Sequence, residues 1–136
     1  MVKDDCIFCK LANGVIPTNT LYEDEEFRVF LDAAPATLGH CLIVPKNHYG
    51  NLEELDDTTG AKVIPLARKM MGILKEKLHW DGLNLVQNNG EVAGQTVFHF
   101  HLHIIPRYVD DNQDINWKPT SPSAEEIKNL CELITK

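Results

Sequence analysis

No basic run longer than a dipeptide occurs in this sequence, and acidic residues outnumber basic ones, 20 to 13, for a formal net charge of -7. A protein that follows a nucleic-acid backbone needs a positive stripe, so that class is excluded. A small anionic ligand is not excluded, because a few histidines and backbone N–H groups can hold one phosphate without changing the overall balance. Long apolar runs are missing as well. Nothing approaches the roughly 20 residues needed to span a bilayer, so no membrane partner is expected. Met1-Val2-Lys3-Asp4-Asp5 contains no apolar stretch ending in a small-residue cleavage site. The cytoplasm is therefore the expected compartment. Internal repeats, disordered stretches and any recognisable magnesium motif are also lacking.

What remains has the composition of an ordinary globular chain, 43% hydrophobic and 24% charged over 136 residues, enough for one domain spanning 1–136 with a proper core. Cys6 to Asn13 reads as a short helix ended by Gly14. Thr20 to Glu23 and Phe27 to Leu31 read as strands joined by the acidic turn Asp24-Glu25-Glu26. Asp32 to Gly39 is a loop, and His40 to Val44 a strand that Pro45 should end. Asp56 or Thr58 caps a long helix with the stripe Val63, Leu66, Ala67, Met70, Met71, Leu74 and Leu78. Pro65 should mark its first turn or bend it. His79 belongs at its end, near the negative pole of the helix. Leu83 to Gln87 and Val97 to Ile105 are further strands, separated by a glycine-bearing loop from Asn88 to Gly94. Ser123-Ala124-Glu125-Glu126 is a capping box for a last helix with the stripe Ile127, Leu130, Cys131 and Ile134. The order predicts an α+β domain built on an antiparallel sheet.

Six histidines are present, and three of them alternate in His99-Phe100-His101-Leu102-His103. On a strand these three share a face, while Phe98, Phe100, Leu102 and Ile104 anchor the other face in the core. Same-face neighbours lie roughly 6.6 Å apart and the outer pair roughly 13 Å, so one phosphorus cannot touch both ends. The middle residue, His101, is the best-placed nucleophile. One neighbour can assist it and the other must serve a structural purpose. Histidine suits phosphorus chemistry, because the neutral ring attacks near neutral pH and the protonated ring donates to a leaving group. The nitrogen opposite the attacking one must be held by an acceptor. A single metal ion on all three histidines is disfavoured by the same spacing.

The run His-Phe-His-Leu-His-Ile-Ile resembles the signature of the histidine triad family. Further similarity runs through Cys-Ile-Phe-Cys-Lys at 6–10, Asp32, Gly39-His40 with Leu42-Ile43-Val44-Pro45, Asn88, Gly94-Gln95-Thr96-Val97-Phe98 and Ile105-Pro106-Arg107. The closest likeness is to compact bacterial proteins related to the Hint-type nucleoside phosphoramidases. The resemblance implies a sheet of about five strands with one long helix and a C-terminal helix. It also implies hydrolysis or transfer at the α-phosphorus of a nucleoside 5′-phosphoramidate or adenylyl conjugate, through a nucleotidyl-His101 intermediate. His103 is then the residue that contacts phosphate and assists the leaving group. His40 completes the cluster and His99 supports the nucleophile. Asp32 matches the ribose-binding acid, while Asn88 and Thr96 match groups beside the phosphate, with backbone N–H donors from Gly94, Gln95 and Thr96. The expected partners are a purine nucleotide or its conjugate and a second copy of the chain, in a two-fold dimer joined through the long helix and a sheet edge.

Cys6 and Cys9 have the two-residue gap of a zinc pair, although a redox pair shares that spacing. His48 and His99 can supply two more ligands, and the resemblance implies this Cys-Cys-His-His set. Four protein ligands make such a zinc structural, pinning the N-terminal segment to the histidine strand. No organic cofactor is expected. Cys41 and Cys131 read as small buried hydrophobes. Three other functions use the same residues: hydrolysis of dinucleoside polyphosphates, nucleotide binding as an adaptor with incidental catalysis, and metal storage.

Overall fold

The computed structural model describes residues 1–136. It has five antiparallel strands: β1 (Thr20–Glu23), β2 (Phe27–Leu31), β3 (Cys41–Pro45), β4 (Gly82–Val86) and β5 (Leu102–Arg107), in the sheet order β1-β2-β3-β5-β4. Three helices complete an α+β fold: α1 (Ile7–Ala12), α2 (Asp57–Leu78) and α3 (Ala124–Thr135). None is long and apolar enough to cross a membrane.

Alternation along the strands sorts the two faces of the sheet. Phe27 and Val29 of β2, Cys41 and Ile43 of β3, and Leu102 and Ile104 of β5 turn to one side. There they meet Val63, Leu66, Ala67, Met70 and Leu74, the buried stripe of α2. Phe30, Leu42 and Val44 turn to the other side and pack with Ala12, Phe8 and Leu11 of α1. His103, next to Leu102 and Ile104 on β5, belongs to this second face. The site is thus built where the sheet carries only a six-residue helix, leaving room beside it.

Several expectations change in detail. Pro45 is the last residue of β3 rather than a residue beyond it. Asp56 is the cap of α2, accepting from the Thr59 N–H, and Pro65 lies well inside the helix on its exposed side. His79 closes α2 in the left-handed conformation, φ 55°. The strand expected over Val97–Ile105 is assigned only from Leu102 and runs on to Arg107. Residues 97 to 101 approach it as irregular backbone, which releases Phe98 from the alternation, and its side chain is 54% exposed instead of packed in the core. Cys131 is exposed, not buried, because α3 packs on nothing in its own chain.

Candidate active site

His40 enters the site on the residue before β3, held there by Gly39. At φ +91° this glycine occupies backbone space that side chains avoid, and a Cβ on it would lie 2.5 Å from Leu78 Cδ1 at the end of α2. His103 sits on β5 opposite Leu42 of β3 and Val86 of β4. His101 and His99 lie just upstream, with Phe100 anchored through a backbone bond from its N–H to the Tyr49 carbonyl. The rings of His101 and His103 are 5.0 Å apart. His99, completely buried, turns instead toward His48, 5.0 Å between ring centres.

Backbone groups determine which nitrogen of each neutral ring carries hydrogen. A carbonyl can only accept, so His101 donates from Nδ1 to the His99 carbonyl at 2.7 Å, leaving its Nε2 lone pair free. His99 likewise donates from Nε2 to the Pro45 carbonyl at 2.8 Å, freeing Nδ1. The Ala36 N–H donates to His40 Nδ1 at 2.9 Å, so His40 keeps its hydrogen on Nε2. That hydrogen meets His103 Nδ1 at 3.0 Å, which puts the His103 hydrogen on Nε2. One free lone pair on His101 and one N–H on His103 therefore stand side by side.

Burial disfavours the charged ring at all of these positions. It lowers the proton affinity of His40 and His101, with Asp32 opposing the shift in both. His103 is pushed down to about 4 by burial, then by the neighbouring His101 and His40. His101 is thus held in the form that can attack.

These two rings open into a cavity of about 380 Å³, a size suited to a small ligand. Phe8, Leu11, Phe30 and Leu42 form an apolar wall, and Asp32, Asn19 and Thr96 supply polar groups. Asp32 Oδ1 accepts from the Ala34 N–H, and Oδ2 lies 3.5 Å from His40 Nε2. Nothing in the sequence marks Phe8 for the site, yet its ring meets His101 edge-on at 4.8 Å. The carbonyl and amide that fix the histidine tautomers carry no sequence signal at all.

The loop residues divide. Thr96 lines the cavity. Asn88 and Gly94 adjoin one another outside the cavity lining, and Gly94 supplies a left-handed turn at φ +101°. Gln95 is buried and its amide is spent on the backbone, donating to the carbonyls of Gly50 and Val97 and accepting from the Gly90 N–H. The backbone N–H groups of Gly94 and Gln95 are bonded to Glu91 and Gly90. Of the expected backbone donors, only that of Thr96 is left outside these loop bonds. Gln95 braces the loop from beneath.

Cys6, Cys9, His48 and His99 converge, with all four ligand atoms within 4.8 Å of one another. His99 Nδ1 is 3.4 Å from both sulfurs, and His48 Nδ1 is 3.4 Å from Cys9 Sγ. A tetrahedral zinc with ordinary bond lengths has S···N edges of about 3.5 Å, so the set fits that ion. The lone pair of His99 Nδ1 points inward because Nε2 is tied to Pro45. N–H groups of Lys3 and Cys9 also face the sulfurs of Cys9 and Cys6, at 3.3 and 3.4 Å. Asp32, His40 and His103 also converge within 4.8 Å. That second group is a poor metal site, because His40 Nε2 bears hydrogen while Ala36 occupies Nδ1.

The HIT domain family model matches residues 13–110. The chain is 48% identical over 125 residues to an uncharacterised HIT-like protein of Methanocaldococcus jannaschii, covering 92% of this chain and 91% of that one. It is 39% identical over 131 residues to the adenosine 5′-monophosphoramidase of Schizosaccharomyces pombe, covering 96% of each. The crystal structure of a zinc-bound histidine triad family protein from Mycobacterium smegmatis superposes with a TM-score of 0.77 at 35% identity, covering 96% of both chains.

Proposed function

The chain belongs to the HIT domain family, and from that premise we propose that it hydrolyses nucleoside 5′-phosphoramidates or adenylyl conjugates at the α-phosphorus. The observation that carries this is the pairing of a free His101 Nε2 lone pair with an N–H on His103 Nε2, both fixed through backbone groups. The likeness to a monophosphoramidase supports nucleotide substrates and a hydrolase. The whole chain forms one domain, with the N-terminal segment packed on it by zinc.

In the cavity the base lies against Phe8, Leu11, Phe30 and Leu42, and the ribose hydroxyls donate to Asp32. Thr96 approaches the phosphate, with Asn88, Gly94 and Gln95 shaping the loop behind it. The incoming phosphate brings negative charge to rings that burial now keeps neutral, which raises the proton affinity of His103. The proton it takes up from solvent sits on Nδ1, and His40 turns its Nε2–H to Asp32 Oδ2, 3.5 Å away. His101 Nε2 then bonds to phosphorus while the P–N or P–O bond breaks, and the leaving atom takes the proton from His103. Water attacks the nucleotidyl-histidine next. Its proton passes to neutral His103, the P–N bond to His101 breaks, and a nucleoside monophosphate leaves. His99 serves by presenting its carbonyl to His101. Protonation matters more for a departing amine than for pyrophosphate, so phosphoramidates are favoured over dinucleoside polyphosphates.

Zinc on Cys6, Cys9, His48 and His99 has no open position for substrate and supplies a cross-link. Two copies pair as a homodimer of roughly 31 kDa, from the 15.4 kDa chain, because β1 and β4 leave open sheet edges.

His101→Ala should keep its fold and bind nucleoside monophosphate while turnover of an adenosine phosphoramidate falls by at least about a hundredfold. Retention of more than about a tenth of the wild-type rate would show that another group attacks phosphorus.

A further inference from the structure

Cys6 and Cys9 differ from the other two cysteines in everything that governs oxidation. Cys41 is completely buried beneath α2, and burial pushes its thiol up to about 12, so it keeps its proton. Cys131 is exposed on α3, which packs on nothing in its own chain. Cys6 and Cys9 stand on one turn of chain with their sulfurs within 4.8 Å of each other. Cα atoms three residues apart on a helical turn are about 5 Å apart, inside the range that a disulfide spans. The pair can therefore join without movement of any other element.

A cavity of about 340 Å³ opens beside the pair, lined by Cys6 and His48 together with Lys3, Asp5 and Phe98. Cys6 is half-buried, while Cys9 behind it is completely buried. A small hydroperoxide meets Cys6 first, and Cys9 is placed to resolve the product. The Cys6 sulfur bonds to one peroxide oxygen, the O–O bond breaks, and the departing oxygen takes a proton and leaves as water. Cys9 then attacks the Cys6 sulfur of the sulfenic acid. The S–S bond forms, the S–O bond breaks, and a second proton carries the oxygen off as water. Two thiolates, one hydrogen peroxide and two protons thus become one disulfide and two waters, the thiolates giving up two electrons. Zinc and disulfide exclude each other. A tetrahedral zinc holds two anionic sulfurs about 3.8 Å apart, whereas a disulfide draws them to about 2 Å and leaves them uncharged.

The consequence for the nucleotide lies in how α1 is held. Its C-terminal end is tied twice, Asn13 Nδ2 donating to the Lys46 carbonyl at 2.9 Å and Arg28 Nη1 to the Leu11 carbonyl at 3.3 Å. Its N-terminal end has the two sulfurs facing His48 and His99. One further bond, from the His48 N–H to the Met1 carbonyl, lies at the chain terminus. Phe8 sits in that N-terminal half, against Phe30 and the His101 ring, in the wall of the active-site cavity. We propose that Cys6 and Cys9 are a site of reversible oxidation by peroxide: their disulfide releases the zinc, frees the first turn of α1 and loosens the Phe8 wall against the nucleotide.

The oxidation site rests on the zinc set proposed above, and the test separates the two. Cys131→Ser removes the exposed thiol and leaves Cys6, Cys9 and Cys41. Hydrogen peroxide should then release the zinc to a chromogenic chelator and convert Cys6 and Cys9 to a disulfide, located by peptide mass spectrometry, with the Cys41 thiol left free. Affinity for adenosine monophosphate should fall several-fold, and dithiothreitol with added zinc should restore it. Phe8→Ala in the same background should release its zinc equally, while its weaker nucleotide affinity no longer responds to peroxide. Zinc and both thiols retained under treatment that oxidises Cys131 of the native chain would overturn the proposal and leave the zinc site standing. Zinc release with unchanged nucleotide affinity would overturn it too, because α1 would keep its place without the metal. Native protein that carries no zinc would overturn both.

Discussion

At the scale of single residues, function depends on groups that hold histidines as much as on the histidines. Four rings have their hydrogen positions set by three carbonyl or amide groups, at Pro45, His99 and Ala36, with His103 set in turn by His40. Such contacts can be lost without altering any catalytic side chain. Gly39 offers the sharpest case. A side chain there is strained by the positive φ, at about 1–2 kcal/mol, and collides with Leu78, at about 1–3 kcal/mol more. Gly39→Ala should therefore cost about 2–5 kcal/mol in denaturant unfolding and lower kcat as His40 shifts away from His103. A loss under about 0.5 kcal/mol with normal kcat would show that the loop relaxes freely.

Among the elements, α1 links the metal site to the cavity. Cys6 caps its N-terminus and Cys9 lies within it, while Phe8 between them packs on Phe30 and on the His101 ring. Loss of zinc should therefore be felt by the nucleotide. Metal analysis should find one zinc per chain in the native protein and far less in Cys9→Ser, whose affinity for adenosine monophosphate should fall several-fold. Phe8→Ala should keep its zinc and lose a similar share of affinity, because it removes the wall without the clamp. Equal zinc in native protein and Cys9→Ser would rule out this ligand set. The elements were also where the sequence was most and least legible. Strong alternation and the caps at Asp56 and Ser123 revealed β2, β3, α2 and α3 closely. The strand holding the histidines begins later than its sequence suggests, because a run of β-formers looks the same whether or not the chain pairs. Ladder partners decide that, and β5 finds them on β3 and β4 only from Leu102 onward. The exposure of Cys131 has a different origin. Periodicity reveals that α3 has an apolar face but not which molecule covers it.

Considered whole, the molecule buries several imidazoles to keep them neutral, and this arrangement has a cost in acid. For His103 the direction follows from linkage. Its proton affinity sits near 4 in the folded chain, against 6.5 for the free side chain. Between those values the unfolded chain binds a proton that the folded chain refuses, so stability falls as pH drops from 6.5 toward 4. The contribution is fully present above 6.5, declines by at most about 1.4 kcal/mol per pH unit, and stops changing below 4. Zinc ligands also protonate in acid, so the wild-type curve alone would mix two causes. His103→Gln removes the titrating ring and leaves Cys6, Cys9, His48 and His99 in place. Urea unfolding of both proteins at pH 7, 6, 5 and 4.5, with zinc content followed at each, separates the terms. The difference in stability between wild type and variant should shift steadily in the variant's favour as the pH falls, by about 2 kcal/mol over the range. Parallel curves would mean that His103 takes up its proton as readily inside the fold as outside it, and the neutral, backbone-fixed pair with His40 would have to be abandoned.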